Sequence, residues 1–181
     1  MTAGAVLAPG YGGSADQAIL VQCASRLERS GIVARRMSFT RARPVEDFAP
    51  ELNELRQVRD GLRNGGVQKL ALIGRSFGGR MCARLAATEP PDALVLLGHP
   101  ISPPNRPRLD DEAALLAVRC PTLIVQGDHD RLGPLAVLER IAAKNRQIEI
   151  YVLIGVGHQF GKRQTEGLEH AAMWLEQRLR G

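Results

Sequence analysis

Apolar residues recur in six short runs: 3–9 (AGAVLAP), 32–39 (IVARRMSF), 69–74 (KLALIG), 93–99 (ALVLLGH), 122–127 (TLIVQG) and 148–155 (IEIYVLIG). Several are apolar at consecutive positions, the pattern of strands covered on both faces. The intervals between them leave room for helices. Residues 51–66 place Leu52, Leu55, Val58 and Leu62 on one helical face and stop at Gly65-Gly66. A second helical stretch opens at Ser14, carries Gln17 at the spacing of a capping box, and runs to Gly31. A third, over about 166–180, aligns Leu168, Ala172, Leu175 and Leu179. Strand and helix thus alternate about six times, which predicts a doubly wound parallel α/β sheet.

Bulk properties narrow the reading. A chain of 181 residues with no break in composition fits one domain over 1–181. Aromatics make up 4%, so the core must be mainly Leu, Val, Ile and Ala. The opening MTAGAVLAPG has no basic start and only a short apolar run, and no stretch approaches a membrane-spanning length. The expectation is a cytoplasmic protein with no membrane partner. Cys23, Cys82 and Cys120 are far from one another and from any His in sequence, which signals neither a zinc site nor a disulfide framework, and predicts buried reduced thiols. The formal charge is +5, and 21 of the 24 basic residues are Arg. They are interspersed with acids, as in Arg26-Leu27-Glu28-Arg29, rather than gathered into a basic run, so no nucleic-acid partner is expected.

In a sheet of this kind chemistry gathers beyond the carboxyl ends of the strands. Those ends read APGYGGS, SFTRARP, GRSFGG, GHPISPPNRPR, QGDHDRLG and GVGHQFG. A serine hydroxyl is a poor nucleophile until a base, usually His, takes its proton, and the base needs a carboxylate to fix its tautomer. Ser76, His158 and Asp130 have those residue types on one sheet edge. Gly74-Arg75-Ser76-Phe77-Gly78 is a G-x-S-x-G pentapeptide with a strand before it and a helix after it, the context in which such a serine is held strained and exposed. Asp128 competes with Asp130 for the acid, but Asp130 leaves more chain after Gly127 for its side chain to turn back. Among the histidines, His158 lies in a Gly-flanked loop, His170 falls inside the last helix, and His129 sits beside the acid. His99 ends the fourth strand and is a candidate to line the pocket. The amides of Phe77, at a helix start, and of Tyr11, in the first glycine loop, are the candidate oxyanion donors. Gly10, Gly12 and Arg75 complete the candidate lining, and Arg75 is expected either in an ion pair behind the turn or facing an anionic substrate.

One rival reading uses the same loop. Gly10-Tyr11-Gly12-Gly13-Ser14-Ala15 satisfies G-x-G-x-x-A after a strand, the dinucleotide fingerprint. The second strand end, RRMSFTRAR, offers no acid for a ribose, and a dinucleotide site leaves Ser76, Asp130 and His158 unexplained. A P-loop is excluded because no G-K-[ST] follows.

LAPGYGGS, GRSFGGR, LVLLGHPISPP, PTLIVQGDHDRLG and GVGHQF span nearly the whole chain in order. With them the chain resembles the α/β-hydrolase superfamily in its small dienelactone-hydrolase-like branch. It is similar in particular to the compact hydrolase-like family that includes the testis-expressed Tex-type proteins and a subunit of a nuclear histone-acetyltransferase complex. The resemblance implies an α/β-hydrolase-type three-layer sandwich of about six parallel strands in the order 2-1-3-4-5-6. The first two strands of the larger eight-stranded enzymes are missing. So is a lid domain, because 99–110 is only a Pro-rich loop. It implies Ser76 as nucleophile, Asp130 as acid, His158 as base and the loop at Gly10 to Gly12 as oxyanion contributor. The expected activity is that of a carboxylesterase or thioesterase on small soluble acyl esters, working as monomer or homodimer without metal or organic cofactor. Because members of the family also serve as complex subunits, the alternative is a catalytically quiet interaction module on the same fold.

Overall fold

The structure, a computed structural model, describes residues 1–180. Its strands are β1 (Ala3–Ala8), β2 (Val33–Arg36), β3 (Lys69–Arg75), β4 (Ala93–Leu97), β5 (Thr122–Gly127) and β6 (Ile148–Leu153). Its helices are α1 (Ala18–Arg29), α2 (Ala49–Asn64), α3 (Phe77–Thr88), α4 (Leu109–Ala117), α5 (Leu135–Ala142) and α6 (Gln164–Arg180). All strand pairs are parallel, in the order β2-β1-β3-β4-β5-β6. The order therefore reverses at β1 and β3, so the loops that follow those two strands part over a crevice.

The apolar runs form strands because successive side chains fill two different cores. Leu7, Ile73 and Val95 pack with α1 and α6 on one face. Val6, Leu72 and Leu96 pack with α2, α3, α4 and α5 on the other. Each of these side chains is fully buried, a gain of about 2 kcal/mol apiece over leaving it in water. Cys23, Cys82 and Cys120 are free and buried in these cores, and burial pushes the Cys23 thiol up to about 12.

Two local expectations are corrected. The capping box at Ser14 and Gln17 does not form: α1 starts only at Ala18, and Ser14 Oγ accepts from the Asp16 amide within the loop. Gln17 instead turns back, its Oε1 accepting the Gly10 N–H at 3.0 Å. The second strand stops at Arg36 rather than at residue 39: Met37 N–H still donates to Leu7 O at 3.0 Å, and beyond it the chain is tied to other elements. Ser38 Oγ accepts the Ala15 N–H and Glu54 Oε2 accepts the Thr40 N–H, which pulls this loop over the crevice.

Between β4 and α4 the chain is a loop with no inserted helix. No helix among the described residues is long and apolar enough to cross a membrane.

Candidate active site

Ser76 stands between the last residue of β3 and the first of α3, at φ 49° and ψ −110°. A non-glycine residue there costs about 1–3 kcal/mol and persists only where its neighbours leave no alternative. Those neighbours are visible in the flanking glycines. A β-carbon on Gly74 would meet the backbone of Gly78 and Gly79 well under 3.0 Å, and one on Gly78 would meet the carbonyls of Ala8 and Pro9 equally closely. The turn is thus pressed against the end of β1. The Ser76 N–H donates to Leu97 O at 3.1 Å, which ties it to β4 as well.

His158 follows β6 and reaches back across the sheet edge. Its Nε2 lies 2.9 Å from Ser76 Oγ and its Nδ1 lies 2.8 Å from Asp130 Oδ2. A carboxylate can only accept, so Nδ1 carries the ring proton and Nε2 is left to accept from the serine hydroxyl. Asp130 is buried and its second oxygen, Oδ1, accepts the amides of Leu132 at 2.8 Å and Gly133 at 3.3 Å. Asp128, the rival acid, faces elsewhere: its Oδ1 accepts the Gly155 N–H at 2.8 Å and clamps the β6 turn. His129 is exposed beside it, and His170, in α6, stacks on Tyr151 of β6.

Gln126, the penultimate residue of β5, was not singled out by motif, yet it organises the acid. Its Nε2 donates to Asp130 Oδ2 and to Gly133 O, both at 2.8 Å, while its Oε1 accepts the His99 N–H at 2.8 Å. The available signal was a lone amide closing the apolar run TLIV, at the sheet edge where polar residues carry chemistry.

The candidate oxyanion amides sit on the two loops that meet at the crevice. Tyr11 N and Phe77 N donate to no protein acceptor among the described residues. Gly10 lies under the serine, so that a β-carbon on it would be 3.6 Å from Ser76 Cβ. Gly12 adopts φ 68°, which glycine tolerates and which carries the loop around. The exposed Tyr11 ring stands edge-on to Phe77 with centroids 6.2 Å apart. Because Gln17 holds the Gly10 amide and α1 begins well past the glycines, the loop is not built as a dinucleotide-type helix start.

Two expectations about polar neighbours are corrected. Arg75 makes no ion pair among the described residues and does not face the open crevice. It is buried behind the turn, donating from Nη1 to Leu97 O at 3.0 Å and from Nη2 to His158 O at 2.6 Å and Gln159 Oε1 at 3.3 Å. Burial pushes the guanidinium down to about 10, with the Asp130 charge opposing the shift, so it remains a cation at neutral pH. Its position makes it a strut under the histidine loop. Gly98, at φ 64°, is needed because any β-carbon there would strike Arg75 Nη1.

His99 does not line an open pocket. It is completely buried, and neither ring nitrogen has a partner among the described residues. Burial pushes it down to about 4; the nearby Arg80 and Arg108 act in the same direction, against Asp111 and Asp130. Below pH 6.5 the unfolded chain therefore takes up a proton that the folded chain refuses until about pH 4. Stability attributable to this residue is complete above pH 6.5 and falls by about 3 kcal/mol on acidification to pH 4. Denaturant unfolding at the two pH values tests this: His99→Leu flattens that part of the slope, and an unchanged slope in the variant refutes the assignment.

Among the described residues no three His, Cys, Asp or Glu side chains converge to hold a metal ion.

A family described as "Alpha/beta hydrolase domain" matches residues 2–179 of this sequence. The chain belongs to that family. Among solved structures it is similar to Est1E from Butyrivibrio proteoclasticus, with TM-score 0.86 at 16% identity over 99% of this chain and 89% of that one. It is also similar to a dienelactone hydrolase from Anabaena variabilis, with TM-score 0.83 at 21% identity over 98% of this chain and 87% of that one. At these identities the likeness is one of fold. Among curated proteins it matches an uncharacterised protein of Mycobacterium tuberculosis strain H37Rv, 28% identical over 133 residues, covering 64% of this chain and 47% of that protein. The chain thus spans about half the length of the curated relatives it matches. The α/β-hydrolase sheet is present here as its six parallel strands, without a lid.

Proposed function

We propose that this α/β-hydrolase domain is a serine hydrolase that cleaves small acyl esters or thioesters through an acyl-enzyme. The observation that carries the reading is the hydrogen-bonded chain from Ser76 Oγ through both His158 nitrogens to Asp130, at 2.9 and 2.8 Å, on a strained strand-to-helix turn. In this reading Ser76 Oγ attacks the ester carbonyl carbon as His158 Nε2 takes its proton. The amides of Phe77 and Tyr11 donate to the oxyanion. His158 then returns the proton to the departing alcohol or thiol, and water enters by the reverse route to release the acid. Asp130 orients the imidazole and stabilises its charged form. The loop in place of a lid favours short, water-soluble acyl groups over long chains. Neither a metal nor an organic cofactor takes part in any of these steps.

The test is covalent labelling by a fluorophosphonate probe. Wild type is expected to label at Ser76, and Ser76→Ala to lose the label while keeping its fold. A folded wild type that does not label refutes the hydrolase reading and favours the alternative, an interaction module on the hydrolase scaffold.

A further inference from the structure

Beside the candidate oxyanion loop lies a cavity of about 240 Å³, with Gly10, Tyr11, Phe39, Arg41, Glu51 and Phe77 among its walls. Tyr11, Phe39 and Phe77 supply its aromatic walls, and Arg41 and Glu51 its charged ones. Of those two, Glu51 is the buried one. It is 1% exposed, and neither carboxylate oxygen has a hydrogen-bond partner among the described residues.

The local sequence would normally give this side chain employment. Glu51 is the third residue of α2, the position from which a capping-box glutamate folds back onto the amide of the N-cap residue. Here the N-cap residue is Phe48 at φ 58°, and its N–H already donates to Val45 O at 3.2 Å. The next amide, of Ala49, donates to Asp47 Oδ1 at 3.0 Å. Both amides that a Glu51 side chain could fold back onto are therefore already taken. The neighbouring Glu54 has a clear structural role, since it holds the loop carrying Phe39 and Arg41 through Thr40 N–H at 2.9 Å. Arg41 itself is exposed at the rim.

A buried carboxyl left without a partner is destabilising, and a donor that enters the cavity and reaches it removes the deficit. The cavity also touches the reaction centre: Phe77 follows Ser76 directly, and Gly10 packs under it. We propose that Glu51 is a specificity-determining residue, and that the preferred acyl group carries a hydrogen-bond donor, an ammonium before a hydroxyl, near its far end. The inference rests on the hydrolase reading above and adds the class of acyl group to it. An ammonium is placed before a hydroxyl because it brings three donors and a charge, and between the apolar walls of Phe39 and Phe77 its pairing with a carboxylate is stronger than in water.

Two nearly isosteric 4-nitrophenyl esters test it, β-alanyl and butanoyl, which differ by an ammonium in place of the terminal methyl. Wild type is expected to favour the β-alanyl ester by about tenfold or more in kcat/KM, the scale on which a built polar site rejects an analogue lacking the group. In Glu51→Leu the preference disappears, butanoyl turnover is kept, and the melting temperature is equal to or above that of wild type. In Glu51→Gln, which keeps an acceptor but loses the charge, part of the preference remains. Equal rates on the two esters in a wild type that labels at Ser76 overturn this inference alone, as does a Glu51→Leu variant that slows both esters alike. A wild type that neither labels nor turns over either ester overturns both readings.

Discussion

Replacing Asp130 by Asn is expected to lower kcat by about 10⁴-fold while the protein stays folded. The reason lies in which oxygen of Asp130 does what. Oδ1 accepts two backbone amides, from Leu132 and Gly133, so the oxygen of an asparagine is held at that position. Its NH₂ group then falls where Oδ2 was, facing His158 Nδ1 and Gln126 Nε2, both of which donate to Oδ2 in the native site. Donor would meet donor. His158 escapes by moving its proton to Nε2, which leaves Nδ1 as acceptor but removes the lone pair that must take the Ser76 proton. Gln126 cannot relieve the conflict by flipping its amide without losing the His99 N–H and Gly133 O bonds. Steady-state rates on a small aryl ester decide the matter. An Asn variant with near-native kcat would show that Asp130 does not set the tautomer. Asp128→Asn serves as the comparison and is expected to leave kcat nearly unchanged, since Asp128 is engaged with the Gly155 amide.

Gly78→Ala is expected to cost about 3 kcal/mol of stability, and to abolish activity in whatever fraction folds. The added methyl would sit against the carbonyls of Ala8 and Pro9, which are backbone atoms at the end of a central strand. Neither side can yield cheaply. β1 is paired on both edges, and moving α3 away would release Ser76 from φ 49° and break its N–H bond to Leu97 O. The glycine therefore protects two things at once, close packing and the strained presentation of the hydroxyl. Denaturant melts paired with fluorophosphonate labelling separate them. A variant that melts like wild type and labels at the wild-type rate would refute the packing argument.

The fold was readable because its signals are local. Runs such as ALVLL and LALIG are short and apolar at consecutive positions, which suits a strand covered on both faces, as β3 and β4 are. Boundaries were less readable where a side chain had a distant partner. Gln17 looks like a capping residue in sequence, but its amide oxygen is spent on Gly10, and α1 starts later for that reason. Strand β2 ends early because Ser38 and Thr40 answer to Ala15 and Glu54, which are remote in sequence.

The site divides along the same line. By itself the sequence determined that a serine, an acid and a histidine stand at strand ends on one edge of a parallel sheet, and that the serine needs glycines around it. Those are consequences of chain order and of residue size. The sequence favoured Asp130 over Asp128 as the acid, and the structure puts it against His158. Only the tertiary structure decided that Arg75 supports the histidine loop from behind, and that among the described residues His99 is sealed without partners and Glu51 is left unpaired in a cavity beside the turn. Each of these depends on which groups from separate elements come within about 3 Å of one another, and hydrogen bonds and desolvation act only at that range.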